Sequence, residues 1–205
     1  NPNNITEYTI ETETVVLQNP TREGYVFTGW YTDSNYGNRI TQIEQGSTGD
    51  ITLYAQWVQA QQVSSWADLA TRIDNNNISG SESTPLVIQL KNSEDGSNGW
   101  IVDKCIEISK PVTLIATEEI EIAYDNTTGK LDGFFYIISG ALVIEGNSSE
   151  NNLILAGSSL AKQPLIYSLG NLSLKNCILQ NNISSSAAGA IYFEKQEGEL
   201  SLENV

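Results

Sequence analysis

Histidine is absent from all 205 residues. That removes the usual general acid and base near neutral pH and the commonest metal ligand, so histidine-dependent hydrolases, zinc sites and Cys-His nucleophiles are excluded within this sequence. Cysteine is almost as scarce: Cys105 and Cys177 have no CxxC spacing and indicate neither a zinc ribbon nor a disulfide framework. Both sit in apolar surroundings, KCIEI and NCILQ, which favours buried free thiols over a disulfide. Positive charge is also in short supply, with 10 Lys and Arg against 25 Asp and Glu and a net charge of -15. Such a chain lacks the counter-charges that a phosphate backbone or an anionic bilayer requires, which argues against nucleic acid and membrane partners. No run approaches the ~20 apolar residues of a membrane helix, and no charged-then-apolar segment opens the chain. The chain starts at Asn1 without Met and reads as a piece of something larger. Nucleophile elbows, phosphate loops and dinucleotide fingerprints are missing too, and no cofactor is expected.

What is present begins with short strands and turns over residues 1–58. Thr14 to Leu17 is a small apolar run, and Pro20 to Gly24 is a turn. Tyr25 and Phe27 then share one face of an extended segment, and Gly29 before Trp30 suggests a bulge or a close backbone approach. A second turn, Gly46 to Asp50, leads into ITLYAQW, where Ile51, Leu53, Ala55 and Trp57 fall on one face and Thr52, Tyr54 and Gln56 on the other. Tyr25, Phe27, Trp30 and Trp57 are the expected core, because a domain this small needs large apolar area per residue. Tyr31, Tyr36 and Tyr54 lie off that pattern and are the candidates for an exposed platform on which sugars stack.

The core Gly24-Tyr25-x-Phe27-x-Gly29-Trp30, followed by Leu53-Tyr54-Ala55-x-Trp57, resembles the Listeria-Bacteroides repeat, the B-repeat module of internalin-type surface proteins. The resemblance covers about a quarter of the chain. It implies a small β-grasp-like fold, found in bacterial surface and secreted proteins as a spacer or interaction module. Repeats of that kind usually begin with a further strand ahead of Asn1-Pro2, so an exposed sheet edge, open to self-association with a neighbouring chain, is expected here.

Residues 59–64 are polar, lack strand alternation and read as a linker. SSWADLATRIDNNN then shows a helix start, with Ser64 or Ser65 as N-cap and Trp66, Leu69, Ala70 and Ile73 on one face, ending at the asparagines 75–77. From Pro85 onward the chain repeats. The apolar pairs Val112/Leu114, Leu142/Ile144, Leu172/Leu174 and Leu200/Leu202 recur at intervals of 30, 30 and 28 residues. Each is preceded by another short apolar segment: Ile106/Ile108, Phe135/Ile137, Leu165/Tyr167 and Ile191/Phe193. Three are followed by a third: Ile120/Ile122, Leu153/Leu155 and Ile178. Three short strands per period predict a three-sided right-handed parallel β-helix of about four coils, with the helix covering its N-terminal end. The expected fold is therefore mainly β, with a module at 1–58, a linker at 59–64 and the helix-capped beginning of a β-helix at 65–205. The coils are similar to those of the pectate-lyase-like superfamily, and NNISSSAAGAIYFEKQEGELSLENV resembles the coils of polymorphic outer-membrane adhesins.

Asn176 and Asn204 occupy equivalent positions, with Gly146-Asn147 one coil earlier, and are expected to stack as a structural ladder. Two acidic loops, 92–100 and 124–133, offer clustered side-chain oxygens, with Asp95, Asp125 and Asp132 as weak calcium candidates, yet neither follows an EF-hand or nonapeptide pattern. Glu107, Glu121 and Glu145 would face outward without converging partners, so they read as solubilising charges. Together these features point to a non-enzymatic, extracellular bacterial protein, cell-surface or secreted. It would be adhesin-like, acting as a spacer and interaction surface for a host or neighbouring-cell protein or glycan. The alternatives are the leading part of a β-helix polysaccharide lyase or glycoside hydrolase, and a carbohydrate-binding module.

Overall fold

Alternating apolar residues and tight turns fold the first part of the chain into two small antiparallel sheets. The computed structural model describes residues 4–20, 22, 24–94, 96, 99–124, 133–146, 153–183, 188–194 and 198–205. It has two compact units, Asn1–Ala60 and Gln61–Val205. The first contains β1 (Val15–Val16), β2 (Tyr25–Tyr31), β3 (Arg39–Ile40), β4 (Gln42–Ile43) and β5 (Tyr54–Gln59). β2 lies between β3 and β5, and β1 pairs with β4. The bulge expected at Gly29 is present, because the register of β2 against β5 shifts between Phe27 and Gly29. In a regular strand Phe27 and Trp30 would face opposite ways, and the extra residue turns both to one side. There Phe27 meets Trp30 and Trp57 edge-on, at 5.3 and 5.5 Å between ring centroids. These rings are only half-buried. The buried apolar side chains among the described residues of this unit are Leu17, Ile43 and Ala60. Tyr25 is engaged from outside the cluster, with the Arg22 guanidinium 3.8 Å above its ring.

The second unit opens with β6 (Gln61–Val63), inside the stretch read as a linker. Two glutamines precede Val63, so the strand carries no apolar alternation to read. Val63 is buried all the same, and β6 pairs parallel with β7 (Leu86–Leu90). Between them lies α1 (Trp66–Ser79), started by Ser65, whose hydroxyl accepts the Asp68 N–H at 3.2 Å. The helix runs past the asparagines at 75–77, because Asn lowers helix stability without stopping a helix, and it ends at Gly80. Its expected face of Trp66, Leu69, Ala70 and Ile73 is buried. The Trp66 ring packs against Phe134 and Phe135, and its indole N–H donates to the Lys104 carbonyl at 2.9 Å.

The remaining strands wind as a parallel β-solenoid of about four turns. They are β8 (Ile101–Val102), β9 (Ile106–Ile108), β10 (Val112–Ala116), β11 (Ile120–Tyr124), β12 (Phe135–Ile137), β13 (Ala141–Glu145), β14 (Leu153–Ala156), β15 (Ile166–Ser168), β16 (Asn171–Lys175), β17 (Cys177–Gln180), β18 (Ile191–Phe193) and β19 (Leu200–Glu203). Each turn gives one strand to each of three sheets: β6, β7, β10, β13, β16 and β19; β8, β11, β14 and β17; and β9, β12, β15 and β18. Leu114, Ile144, Leu174 and Leu202 stand in register in a single file, which Ile88 extends by one turn. Ile88, Leu114, Ile144 and Leu174 are fully buried, which contributes roughly 1.5–3 kcal/mol each, whereas Leu202 is half-exposed.

Two of the short apolar segments place one of their residues, Tyr167 or Ile178, on the outward face. In β15 the inward pair is Ile166/Ser168, because Ile166 registers with Phe135 and Ser168 with Ile137; Leu165, just ahead of the strand, is buried as well, while Tyr167 sits on the alternate face. In β17 Cys177 and Leu179 register with Leu153 and Leu155, so Ile178 sits on the alternate face. A slip of one residue reverses every side chain in a strand. Both occur where the inward row holds a small polar residue or a cysteine instead of a branched aliphatic. Cys177 is fully buried and burial pushes its thiol up to about 11, whereas Cys105 is half-buried.

The asparagine ladder forms between Asn176 and Asn204 as expected, and Asn147 lies outside the described residues. Asn176 and Asn204 adopt left-handed backbone conformations, with φ of 51° and 53°. The Asn176 amide donates to the Gly146 carbonyl at 3.4 Å, and its oxygen accepts from the Asn204 amide at 3.0 Å.

Candidate functional site

The register of β2 against β5 sets Tyr31 opposite Tyr54. The loop after β2 then folds back through Asp33. One carboxylate oxygen accepts the backbone N–H groups of Asn35 and Gly37, both at 3.0 Å, and the other accepts that of Asn38 at 2.7 Å. The bonds from Gly37 and Asn38 hold this carboxyl below its ordinary value. Within the loop Tyr36 takes a left-handed φ of 58°, and its ring meets Tyr31 edge-on at 5.4 Å. The three tyrosines singled out from the sequence therefore lie together, with Tyr36 and Tyr54 exposed.

A second aromatic surface lies on the solenoid. The central residues of β9, β12, β15 and β18 stand in register on the outer face of the third sheet, as the row Glu107, Tyr136, Tyr167, Tyr192. The rings of Tyr167 and Tyr192 are stacked, 4.7 Å apart and 21° from parallel. Those of Tyr136 and Tyr167 are 5.1 Å apart and nearly perpendicular, at 88°. The Tyr167 hydroxyl donates to Glu194 at 3.2 Å, and desolvation, then that bond, push its phenol above the usual range. Beside Tyr136 and Tyr167 lies a cavity of about 450 Å³ that also takes in Asp74 from α1, Cys105, Glu107, Gln163 and Pro164. Asp74 pairs with Lys104 at 3.4 Å. The row escapes the sequence pattern because Tyr167 counts there as part of an apolar pair with Leu165. The signal was there: a tyrosine at the middle position of each of the three short segments FYI, IYS and IYF.

Of the outward carboxylates, Glu107 lies on the third sheet, Glu121 on the second and Glu145 on the first, so no two share a face. Glu145 registers with Lys175, which pairs with Glu203 at 3.0 Å. The calcium candidates Asp95, Asp125 and Asp132 lie outside the described residues. Among the described residues no three His, Cys, Asp or Glu side chains converge as a metal site would require, and no helix is long and apolar enough to cross a membrane.

Fold and surface together define a mainly β protein in which a small strand module precedes a helix-capped parallel solenoid bearing a row of outward tyrosines. Residues 2–56, the strand module, match the family of the Listeria-Bacteroides repeat domain. No curated protein and no solved structure matches the chain.

Proposed function

We propose that the chain is part of a non-enzymatic bacterial protein, secreted or held at the cell surface. In it, the strand module and the solenoid act as spacer and interaction surface in the manner of an adhesin. The observation that carries this reading is the Listeria-Bacteroides repeat at 2–56, a surface-associated repeat, followed directly by a solenoid of about four turns. Stacked turns give length and a flat face built from repeated positions, which suits contact with a protein or glycan of a host or neighbouring cell and requires no catalysis. The β5 edge of the three-stranded sheet offers a place for strand pairing with a second copy.

Beads coated with the chain, passed in flow over epithelial monolayers and mucin, test the reading. Retention above that of beads carrying an unrelated protein of equal negative charge is the expected result, and equal retention overturns it. Incubation with plant and bacterial polysaccharides tests the non-enzymatic part, since new reducing ends or unsaturated products would make the chain an enzyme.

A further inference from the structure

We propose that the groove beside Tyr136 and Tyr167 binds a pyranose oligosaccharide that carries no negative charge. This rests on the interaction-surface reading above and names the chemistry of what is bound. Tyr136 and Tyr167 line the groove side by side with their rings nearly perpendicular, and an aromatic ring is the kind of apolar surface on which the flat C–H face of a sugar packs. Strands of successive turns are spaced about 4.8 Å apart, so the tyrosine row repeats along the solenoid as sugar units repeat along a glycan.

The remaining lining fits hydroxyls. Glu107 and Asp74 supply carboxylate acceptors, and Gln163 supplies both a donor and acceptors. An apolar wall with a few convergent polar groups, in a volume inside the ~300–1,000 Å³ range of small-molecule sites, is what such ligands require. The charge excludes acidic sugars. None of the described residues lining the groove is Lys or Arg, and nearby Lys104 is engaged by Asp74. A uronate or sulfated sugar would meet Glu107 without a counter-charge, in a chain that is already at -15. An extended peptide is disfavoured for a different reason. It would need a free sheet edge for its backbone bonds, whereas β12 and β15 are paired on both sides.

The test is calorimetric titration of the whole chain with cellohexaose, N-acetylchitohexaose, chitosan hexamer and oligogalacturonate. Binding to at least one of the first three and none to oligogalacturonate is expected. Tyr136→Ala and Tyr167→Ala should each weaken that binding about tenfold, the equivalent of about 1.4 kcal/mol. Tyr31→Ala and Tyr54→Ala should leave it unchanged. Glu107→Lys changes an exposed residue outside the core and should also weaken it, which keeps the test decisive if an alanine variant fails to fold. No binding to the three uncharged or amino-bearing probes, binding to oligogalacturonate, or unaltered affinity in natively folded Tyr167→Ala and Glu107→Lys would each overturn the proposal. Bead retention that survives all of these substitutions removes the groove and leaves the adhesin reading standing. Sugar binding without bead retention does the reverse.

Discussion

At Asn176 one buried amide ties together three turns of the solenoid. Its backbone is left-handed, a conformation that Asn tolerates better than most residues bearing a Cβ, and its side chain bridges Gly146 and Asn204. Asn176→Ala should lower stability by about 2 kcal/mol, because it strands the carbonyl of Gly146 and keeps the unfavourable φ. Asn176→Gly restores the backbone freedom without the bridge and should fall between alanine and the natural residue in urea unfolding. Equal stability of all three would remove the ladder as a source of stability. Glu145 behaves differently. Burial raises its carboxyl above the ordinary 4.5, with Lys175 opposing and Glu203 adding to the rise. A folded-state value above the unfolded one means that the folded chain favours the protonated acid. Its contribution is then complete below 4.5 and is lost as pH rises through the raised value. Glu145→Gln should accordingly raise the melting temperature near neutral pH, and the gain should vanish in thermal scans run below 4.5. A gain that is constant across that range would sink the assignment.

Among the elements, α1 closes one end of the apolar column, with Trp66 seated on Phe134 and Phe135. Trp66→Ala should destabilise the solenoid by about 3–5 kcal/mol, the usual cost of emptying a large aromatic site. Far-UV circular dichroism during urea unfolding measures it, and a loss under about 1 kcal/mol would mean that the helix lies on the column without sealing it. This helix was legible from its serine cap and the helical spacing of Trp66, Leu69, Ala70 and Ile73, and the file through Leu114, Ile144 and Leu174 because branched aliphatics recur there at a nearly constant interval. Legibility failed where that chemistry lapses. In β6 two glutamines hide the single inward valine. In β15 and β17 a serine and a cysteine face inward, so the apolar pattern there picks out the larger Tyr167 and Ile178, which lie on the alternate face. The same pattern conceals the tyrosine groove, since a residue counted in an apolar pair is not counted as surface. The Tyr31, Tyr36 and Tyr54 group was found because the alternation of β5 is regular and correctly separates Tyr54 from Trp57.

Over the whole molecule the buried apolar area is divided unequally. The solenoid has a continuous core running from Val63 to Cys177, whereas the described part of the strand module buries Leu17, Ile43 and Ala60 and leaves its aromatic cluster half-exposed. A unit of about 60 residues removes little surface from water and is marginal by itself. The four tryptophans are split evenly, with Trp30 and Trp57 in the module and Trp66 and Trp100 fully buried in the solenoid. Denaturant should therefore unfold the chain in two steps. The first is reported by Trp30 and Trp57, and the second, at higher denaturant, by Trp66, Trp100 and most of the far-UV signal. A variant with Trp30→Phe and Trp57→Phe should keep only the second fluorescence transition, because the solenoid core contains neither residue. Were the midpoints of the two tryptophan pairs to coincide, the module would be drawing its stability from the solenoid. The family match at 2–56 would then mark a segment that does not fold as a unit of its own.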